Sequence, residues 1–272
     1  MSWDTYQQNS TLRTTTCLAR YAVEYQNLLK QRISVKSEIA DKKTPVAIDL
    51  GCGGGVDSIF FAKQGYSVYA VDQSTNVIQD TINNMIASGQ LTQGEANNIH
   101  IVSADFEKIA KGEVELPKAD IVYSNFSLPF YTPQNSEDYA NLMKNLTATL
   151  NEGGVIATTM LGKNDEWKNC SLNSKEDIEK YYGDFKVLQN NEKEVEAPCQ
   201  NGDMKHWDVV ESVFRKPFEN EITEMLASTV MPNDPIKVMA QDENADFFIS
   251  PLSTISDLTL AQINENNNAM SE

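Results

Sequence analysis

Short apolar runs alternate with helical patterns through the middle of the chain, starting at Val46. The apolar runs predict strands over residues 46–50, 67–71, 100–103, 121–125 and 155–161. Apolar positions at helical spacing predict helices over residues 56–64, 75–88 and 136–150. Strands that alternate with helices in this way are typical of right-handed βαβ units and a mostly parallel sheet.

The pattern changes towards the end of this region. Two further strands are predicted over residues 185–196 and 205–214, joined by a loop that contains Pro198 and Asn201-Gly202. Because this loop leaves no room for a helix, the two strands are expected to pair antiparallel as a hairpin. The predicted fold class is therefore α/β, a doubly wound, Rossmann-like mixed sheet of seven strands with an antiparallel hairpin at its edge.

Two segments of different composition flank the predicted domain of residues 45–217. Residues 1–44 are polar at first and then follow a helical pattern over 15–33, which predicts an N-terminal helical cap. Residues 218–272 carry 10 acidic side chains and one Lys, a net charge of −9 out of −17 for the whole chain. This acidic C-terminal extension suits a flexible tail, a segment that packs on the domain or on a partner, or a sorting or export signal.

Composition narrows the classes of partner. With 22 basic and 39 acidic residues, the chain is expected to repel nucleic acid, whose binding requires clustered Lys and Arg. No apolar run is long enough to insert into a membrane, and the N-terminus lacks the pattern of a secretory signal peptide. Four scattered cysteines without Cys-x-x-Cys spacing indicate neither a metal site nor a disulfide framework, and favour a cytoplasmic location. A small molecule is the expected partner, and a protein substrate is the alternative.

A glycine loop follows the first predicted strand and opens a helix. Gly51, Gly53 and Gly55 permit a sharp turn and a close approach of ligand to backbone. The dinucleotide pattern Gly-x-Gly-x-x-Gly does not fit, because Val56 or Ser58 would stand at its third glycine. Asp49 is also unfavourable beside a pyrophosphate, whereas it is favourable beside a cation.

The run from Asp49 to Gly55 resembles the nucleotide loop of class I S-adenosylmethionine-dependent methyltransferases. Asp72 ends the second predicted strand, Asp105-Phe106 follows the third, and Asn125 ends the fourth. The resemblance implies S-adenosyl-L-methionine as cofactor, with Asp72 at the ribose, Asp105-Phe106 at the adenine and Asn125 near the methionine part. The cofactor-binding residues so predicted are Asp49, Gly51, Cys52, Gly53, Gly55, Asp72, Gln73, Ala104, Asp105, Phe106 and Asn125.

Residues 2–217 further resemble the small-molecule, tellurite-resistance-type branch of this superfamily. The matching features are Trp3 and Tyr6, Ser127-Leu128-Pro129-Phe130, the run from Leu161 to Trp167, Lys205-His206-Trp207, and Arg215-Lys216-Pro217. The sequence departs from the branch at Asp208, where its members carry a second His.

Methyl transfer is a direct displacement that positioning and desolvation can accelerate, so it does not require a general base. His206 is nevertheless a candidate to take a proton from the acceptor, or else it packs beside Trp207. Tyr131 is the second candidate catalytic residue and, together with Tyr6 and Arg13, a candidate to close over cofactor or substrate. Ser127-Leu128-Pro129-Phe130 is similar to a motif of amino-group methyltransferases, but a loop that only lines the pocket is the alternative.

The leading hypothesis is an enzyme that moves a methyl group from S-adenosylmethionine to a small-molecule nucleophile by direct in-line displacement. One alternative is a protein methyltransferase that recruits its target through the acidic extension. The other is a cofactor-binding regulatory module without activity, which Asp208 and the imperfect Ser-Leu-Pro-Phe loop leave open.

Overall fold

The protein is built on one seven-stranded mixed sheet with the strand order β3-β2-β1-β4-β5-β7-β6. The computed structural model describes residues 14–36, 43–133, 136–199 and 202–219. The strands are β1 (Val46–Leu50), β2 (Ser67–Asp72), β3 (Ile99–Ser103), β4 (Ala119–Asn125), β5 (Leu150–Leu161), β6 (Lys186–Pro198) and β7 (Met204–Arg215).

The first five strands run parallel, and β7 lies antiparallel between β5 and β6. The predicted fold class, including the hairpin edge, is therefore confirmed. A parallel sheet with this order places the carboxyl ends of β1, β2, β3 and β4 along one rim, where ligands of doubly wound folds bind.

Helices cover both faces of the sheet. They are α1 (Cys17–Lys36), α2 (Val56–Lys63), α3 (Asn76–Ala87), α4 (Gln93–Asn97), α5 (Phe106–Ala110), α6 (Ser136–Thr149) and α7 (Lys175–Tyr182), with a 3₁₀ turn over Leu128–Phe130. The hydrophobic pattern did not predict α4, α5 or α7. These three helices are only five to eight residues long, too short to show a helical period.

The core consists of a layer on each side of the sheet. On the face that packs against α6 and α7, here called the α6 face, Leu142, Leu146 and Phe214 join the buried side chains of β1, β4 and β5. On the opposite face, here called the α1 face, helices α1 and α2 cover Tyr123, Ala157 and neighbouring side chains. Burial of apolar surface on both faces makes the sheet a rigid platform for the rim.

The start of α1 is tied to the sheet by a polar cluster. The Tyr123 hydroxyl donates to Asp57 Oδ2 at 2.9 Å and lies 2.6 Å from Thr16 Oγ1. The Thr16 backbone N–H donates to Asp57 Oδ1 at 3.2 Å. This buried network supplies hydrogen-bond donors to the carboxylate of Asp57, which is 1% exposed. It also holds the residues that directly precede α1 in the sequence against the α1 face, near the rim.

None of the helices in the described ranges is both long and apolar enough to cross a membrane. The expected N-terminal cap is described only from Thr14 onwards, and residues 220–272 of the acidic extension lie outside the described part of the chain.

Candidate functional site

The glycine loop turns back onto the second strand. Gly51, Gly53 and Gly55 have φ angles of +68°, +52° and +80°, a region that is strained for residues with a side chain. The backbone N–H groups of Gly51 and Cys52 both donate to the Val71 carbonyl, at 2.7 and 3.0 Å. These bonds hold the loop at the end of β2, directly before the N-terminus of α2.

Close packing adds a second reason for glycine at two of these positions. A Cβ on Gly51 would overlap the side chain of Ser127, and a Cβ on Gly55 would lie 2.5 Å from Ile78 Cγ1. Ser127 is fixed in place because its hydroxyl donates to the Leu50 carbonyl at 2.6 Å and lies 2.7 Å from Ser124 Oγ. The Ser127-Leu128-Pro129-Phe130 turn therefore braces the glycine loop through its serine.

Asp72 clasps the loop from the end of β2. Its Oδ2 accepts a hydrogen bond from the Gly53 N–H at 2.9 Å, and its Oδ1 accepts one from the Ser74 N–H at 2.9 Å. Two carboxylate oxygens together offer about four lone-pair sites. Asp72 can therefore hold the loop and also accept hydrogen bonds from a ligand's hydroxyl groups.

Asp49 lies behind the loop at the end of β1. The carboxylate is 3% exposed and accepts a hydrogen bond from the Ser58 hydroxyl at 2.6 Å. Burial, followed by the negative charges of Asp49 and Asp72, raises the pKa of the Cys52 thiol well above its usual value. Cys52 is thus a neutral thiol, and the two carboxylates make this end of the site attractive to a cation.

The next strand end supplies an aromatic and a carboxylate. Asp105 is the N-cap of α5 and accepts a hydrogen bond from the Lys108 N–H at 2.8 Å. The Ala104 N–H donates to the Asp72 carbonyl at 3.0 Å. The Phe106 ring lies 6.1 Å from the Tyr131 ring, edge to face. Gln73 is exposed beside this rim. The sequence-predicted residues from β1, β2 and β3 are therefore neighbours in space.

Asn125 ends β4 and is followed by a sharp turn. Phe126 has a φ of +55°, the only left-handed φ of a non-glycine residue among those described. Its N–H donates to the Thr159 carbonyl at 3.2 Å, and its ring lies 5.7 Å from the Trp207 ring. A strained backbone of this kind, held by the surrounding packing, is typical of a functional site.

Tyr131, a candidate catalytic residue, lies on the Phe106 side of the rim. Its ring stacks on that of Tyr139 with centroids 6.0 Å apart, and burial raises the pKa of its hydroxyl. Tyr131 therefore contributes an uncharged aromatic wall near neutral pH.

His206, the other candidate, lies on β7, separated from the glycine-loop strand β1 by β4 and β5. Its Nδ1 lies 2.8 Å from Glu196 Oε1, and its Nε2 lies 3.2 Å from Glu194 Oε2. The hydrogen bond with Glu196 and the two negative charges raise the imidazole pKa. Both ring nitrogens of His206 are therefore engaged with glutamates of β6. The structure does not bring His206 to the glycine loop.

A buried ion pair, which the sequence did not indicate, holds the loop after β5. Lys205 is 2% exposed, and its Nζ lies 2.6 Å from both carboxylate oxygens of Asp165, which is fully buried. The same Nζ lies 3.8 Å from the centre of the Trp207 ring and 4.8 Å from that of Trp167. Asp165 and Lys205 stand inside two runs that resembled the tellurite-resistance-type branch, but their pairing depends on three-dimensional proximity.

Asp208, the departure from that branch, supports the same loop. Its Oδ2 accepts a hydrogen bond from the Asn164 N–H at 2.8 Å, and a side chain at Gly162 would collide with its carboxylate. Trp3, Tyr6 and Arg13 lie outside the described residues. In the described ranges, no group of three or more His, Cys, Asp or Glu side chains is arranged to hold a metal ion.

Comparison with known proteins shows the family of the chain. Residues 41–216 match the family described as a methyltransferase domain, which covers more than half of the chain, so the chain belongs to that family. Comparison with curated proteins gave no match.

Many solved structures share the fold, two of which are described here. TehB from Haemophilus influenzae is 20% identical, with a TM-score of 0.51 over 68% of this chain and 62% of that chain. The match thus spans less than two thirds of the TehB chain. A SAM-dependent methyltransferase from Methanosarcina mazei is 15% identical, with a TM-score of 0.50 over 65% of this chain and 95% of that chain.

Proposed function

We propose that this enzyme transfers the methyl group of S-adenosylmethionine to a small-molecule nucleophile by direct in-line displacement. The observation that carries the proposal is the rim itself, where the loop with Gly51, Gly53 and Gly55 lies between the carboxylates of Asp49 and Asp72. When bound, S-adenosylmethionine supplies an electrophilic methyl carbon on a positively charged sulfur.

Different residues of the rim bind different parts of S-adenosylmethionine. Asp72 accepts hydrogen bonds from the ribose hydroxyls while it holds Gly53. Asp105, Phe106, Ala104 and Gln73 surround the adenine, with Phe106 against the ring. Gly51, Cys52, Gly53 and Gly55 leave room for the ligand at the backbone. Asp49 and Asn125 lie at the methionine end, where Asp49 favours the positive charge.

The reaction depends on the position of the nucleophile more than on proton transfer. A nucleophile held in line with the methyl carbon and shielded from water can react without a covalent intermediate. Tyr131 and Phe106 exclude water from one side of the rim. We assign no proton transfer to His206, because both of its ring nitrogens are in contact with glutamates.

The acceptor class and the cellular location are part of the proposal. A net charge of −17 disfavours nucleic acid as the acceptor. Four cysteines without a disulfide suit a reducing compartment, so we place the enzyme in the cytoplasm.

The test uses S-adenosylmethionine labelled in its methyl group, incubated with the full-length protein and a cell extract. Once the unreacted S-adenosylmethionine has been removed by chromatography, label in the dialysable fraction supports a small-molecule acceptor, and label on protein supports the protein methyltransferase alternative. Binding of S-adenosylhomocysteine without label in either fraction would identify a regulatory module instead.

A further inference from the structure

Three polar side chains stand side by side across the α1 face. Asn125 on β4 is the register partner of Thr159 on β5, and Thr159 is the register partner of Glu211 on β7. Register partners point to the same face of a sheet, and neighbouring strands lie about 4.7–4.9 Å apart. We call Asn125, Thr159 and Glu211 the polar row.

The polar row interrupts an apolar face. The next side chains on this face, in the direction away from the rim, are the register partners Tyr123, Ala157 and Val213. All three are fully buried in the α1-face core. One step in the other direction, Leu161 and Val209 belong to a cluster with Trp207 and Phe126. The polar row therefore occupies the strip between the part of the sheet that helices cover and an aromatic cluster at the rim.

The members of the row carry hydrogen-bonding capacity that the described residues do not use. Thr159 is fully buried, yet its hydroxyl has no hydrogen-bond partner in the described part of the structure. Buried polar groups without partners are rare in folded proteins, and an absent ligand is one explanation for such a group.

Glu211 gives the row its chemical character. Burial raises the pKa of its carboxyl to about 7, and the charge that faces it is that of Lys193 on β6, which acts in the opposite direction. A half-buried carboxyl at the end of a polar strip is stabilised by a cationic hydrogen-bond donor. An oxyanion would meet a like charge there.

We propose that the polar row is the methyl-acceptor subsite, and that Glu211 selects small acceptors that carry an amino group. This inference rests on the proposed function. Asn125 ends its strand at the rim, and Glu211 is two strand spacings, about 10 Å, further along the sheet. Glu211 therefore anchors the ammonium group and acts as a positioning residue, while the nucleophile lies towards Asn125.

The transfer is balanced without any further reactant. A lone pair of the nucleophile forms the new bond to the methyl carbon, and the carbon–sulfur bond breaks with its electron pair passing to sulfur. S-adenosylhomocysteine leaves as the neutral thioether, and the proton of the nucleophile passes to water. The register partners Thr159 and Glu211 both offer oxygen acceptors to the N–H donors of an ammonium group.

The test compares wild type with Glu211→Gln, Thr159→Val and the matched control Glu192→Gln. Glu192 is also on the hairpin, but its register partner is Val210, so it lies on the α6 face. The probe is methyl-labelled S-adenosylmethionine with the dialysable fraction of a cell extract. Labelled products are first separated from unreacted S-adenosylmethionine, which is itself a cation, and then divided by cation exchange. Calorimetry with S-adenosylhomocysteine establishes for each variant that the cofactor site is intact.

The proposal predicts that wild type labels cation-exchange-retained products. Glu211→Gln and Thr159→Val should raise the KM for the retained acceptor, Glu211→Gln by about tenfold or more, with a smaller change in kcat. Glu192→Gln should change neither. For wild type, KM should fall as the pH rises through about 7, because Glu211 then becomes charged, and this dependence should vanish in Glu211→Gln.

Label only in unretained products, or an unchanged KM in Glu211→Gln, would overturn the amino-group inference and leave the proposed function standing. If Glu211→Gln fails to bind S-adenosylhomocysteine, the KM of Thr159→Val decides instead. An absence of label from all small molecules, with cofactor binding intact, would contradict the proposed function itself.

Discussion

Gly51 is subject to two constraints at once, a left-handed backbone and contact with Ser127. Gly65 has a similar φ of +84°, but a Cβ there would meet nothing within 4 Å. The two positions therefore separate the effect of conformation from the effect of packing. Gly65→Ala should lower the free energy of unfolding by about 1–2 kcal/mol, because only the left-handed backbone conformation opposes this substitution.

Gly51→Ala should lose more stability than Gly65→Ala, because Ser127 must also move away from Leu50. Urea denaturation measures the difference, and calorimetry with S-adenosylhomocysteine measures the accompanying loss of affinity. Equal destabilisation of the two variants, with full affinity in Gly51→Ala, would show that the Ser127 contact has no role.

At the scale of single residues, the sequence predicted which residues form the rim better than it predicted their hydrogen bonds. The spacing of Asp49, the glycines and Asp72 indicated the rim because the ends of parallel strands meet at one edge. It did not indicate that Asp72 clasps the Gly53 and Ser74 N–H groups. His206 was a catalytic candidate from its motif, whereas the hairpin register brings Glu194 and Glu196 to its ring.

The hairpin and the loop after β5 form a unit at the scale of elements. The Lys205–Asp165 pair joins them and is buried on both sides. Removing one partner of such a pair leaves an uncompensated charge, so Asp165→Asn or Lys205→Met should lower the free energy of unfolding by about 3–5 kcal/mol. The double variant Asp165→Leu/Lys205→Met should lose less than the sum of the two single changes.

The control for this prediction is the exposed pair Lys111–Glu107, whose side chains are 52% and 63% exposed. Lys111→Met should change the free energy of unfolding by less than about 1 kcal/mol. Chemical denaturation of all variants provides the comparison. An Asp165→Asn variant no less stable than Lys111→Met would contradict the assigned role of the buried pair.

The hydrophobic pattern predicted the long elements and missed the short ones. Helices α4 and α7 are specified by their caps, since Thr92 with Glu95 and Ser174 with Asp177 form capping boxes. These pairs are visible in the sequence at a spacing of three residues. The extension of β5 back to Leu150 depends instead on its pairing with Ala119 on β4, which no local pattern contains.

The stability of the whole molecule should depend on pH through Glu211. Its pKa is about 7 in the folded protein, against an ordinary value of 4.5. Between these values the unfolded chain has released a proton that the folded chain keeps, so stability falls as the pH rises through this window. Glu211→Gln should flatten this part of the profile.

His206 acts with the same sign at higher pH. Its pKa is raised above 6.5 in the folded protein, so its contribution is present below that pH and is lost as the pH rises. Thermal denaturation across the pH range separates the two groups when Glu211→Gln and His206→Gln are compared. A profile unchanged by Glu211→Gln would contradict the assigned burial of that carboxyl.

Truncation tests whether the cofactor site is independent of the acidic extension. All residues proposed to bind the cofactor lie between Asp49 and Asn125. A chain that ends at Glu219 should therefore bind S-adenosylhomocysteine with the affinity of the full-length protein. A loss of affinity on truncation would show that the extension contributes to the site.

The central claim is that S-adenosylmethionine binds across the glycine loop and Asp72. Isothermal titration calorimetry of wild type, Asp72→Asn and the exposed control Asp80→Asn tests it most directly. The account predicts one site in wild type, an affinity weaker by about 1–3 kcal/mol in Asp72→Asn, and no change in Asp80→Asn. Undiminished affinity in Asp72→Asn, or no binding to the wild-type protein, would contradict it.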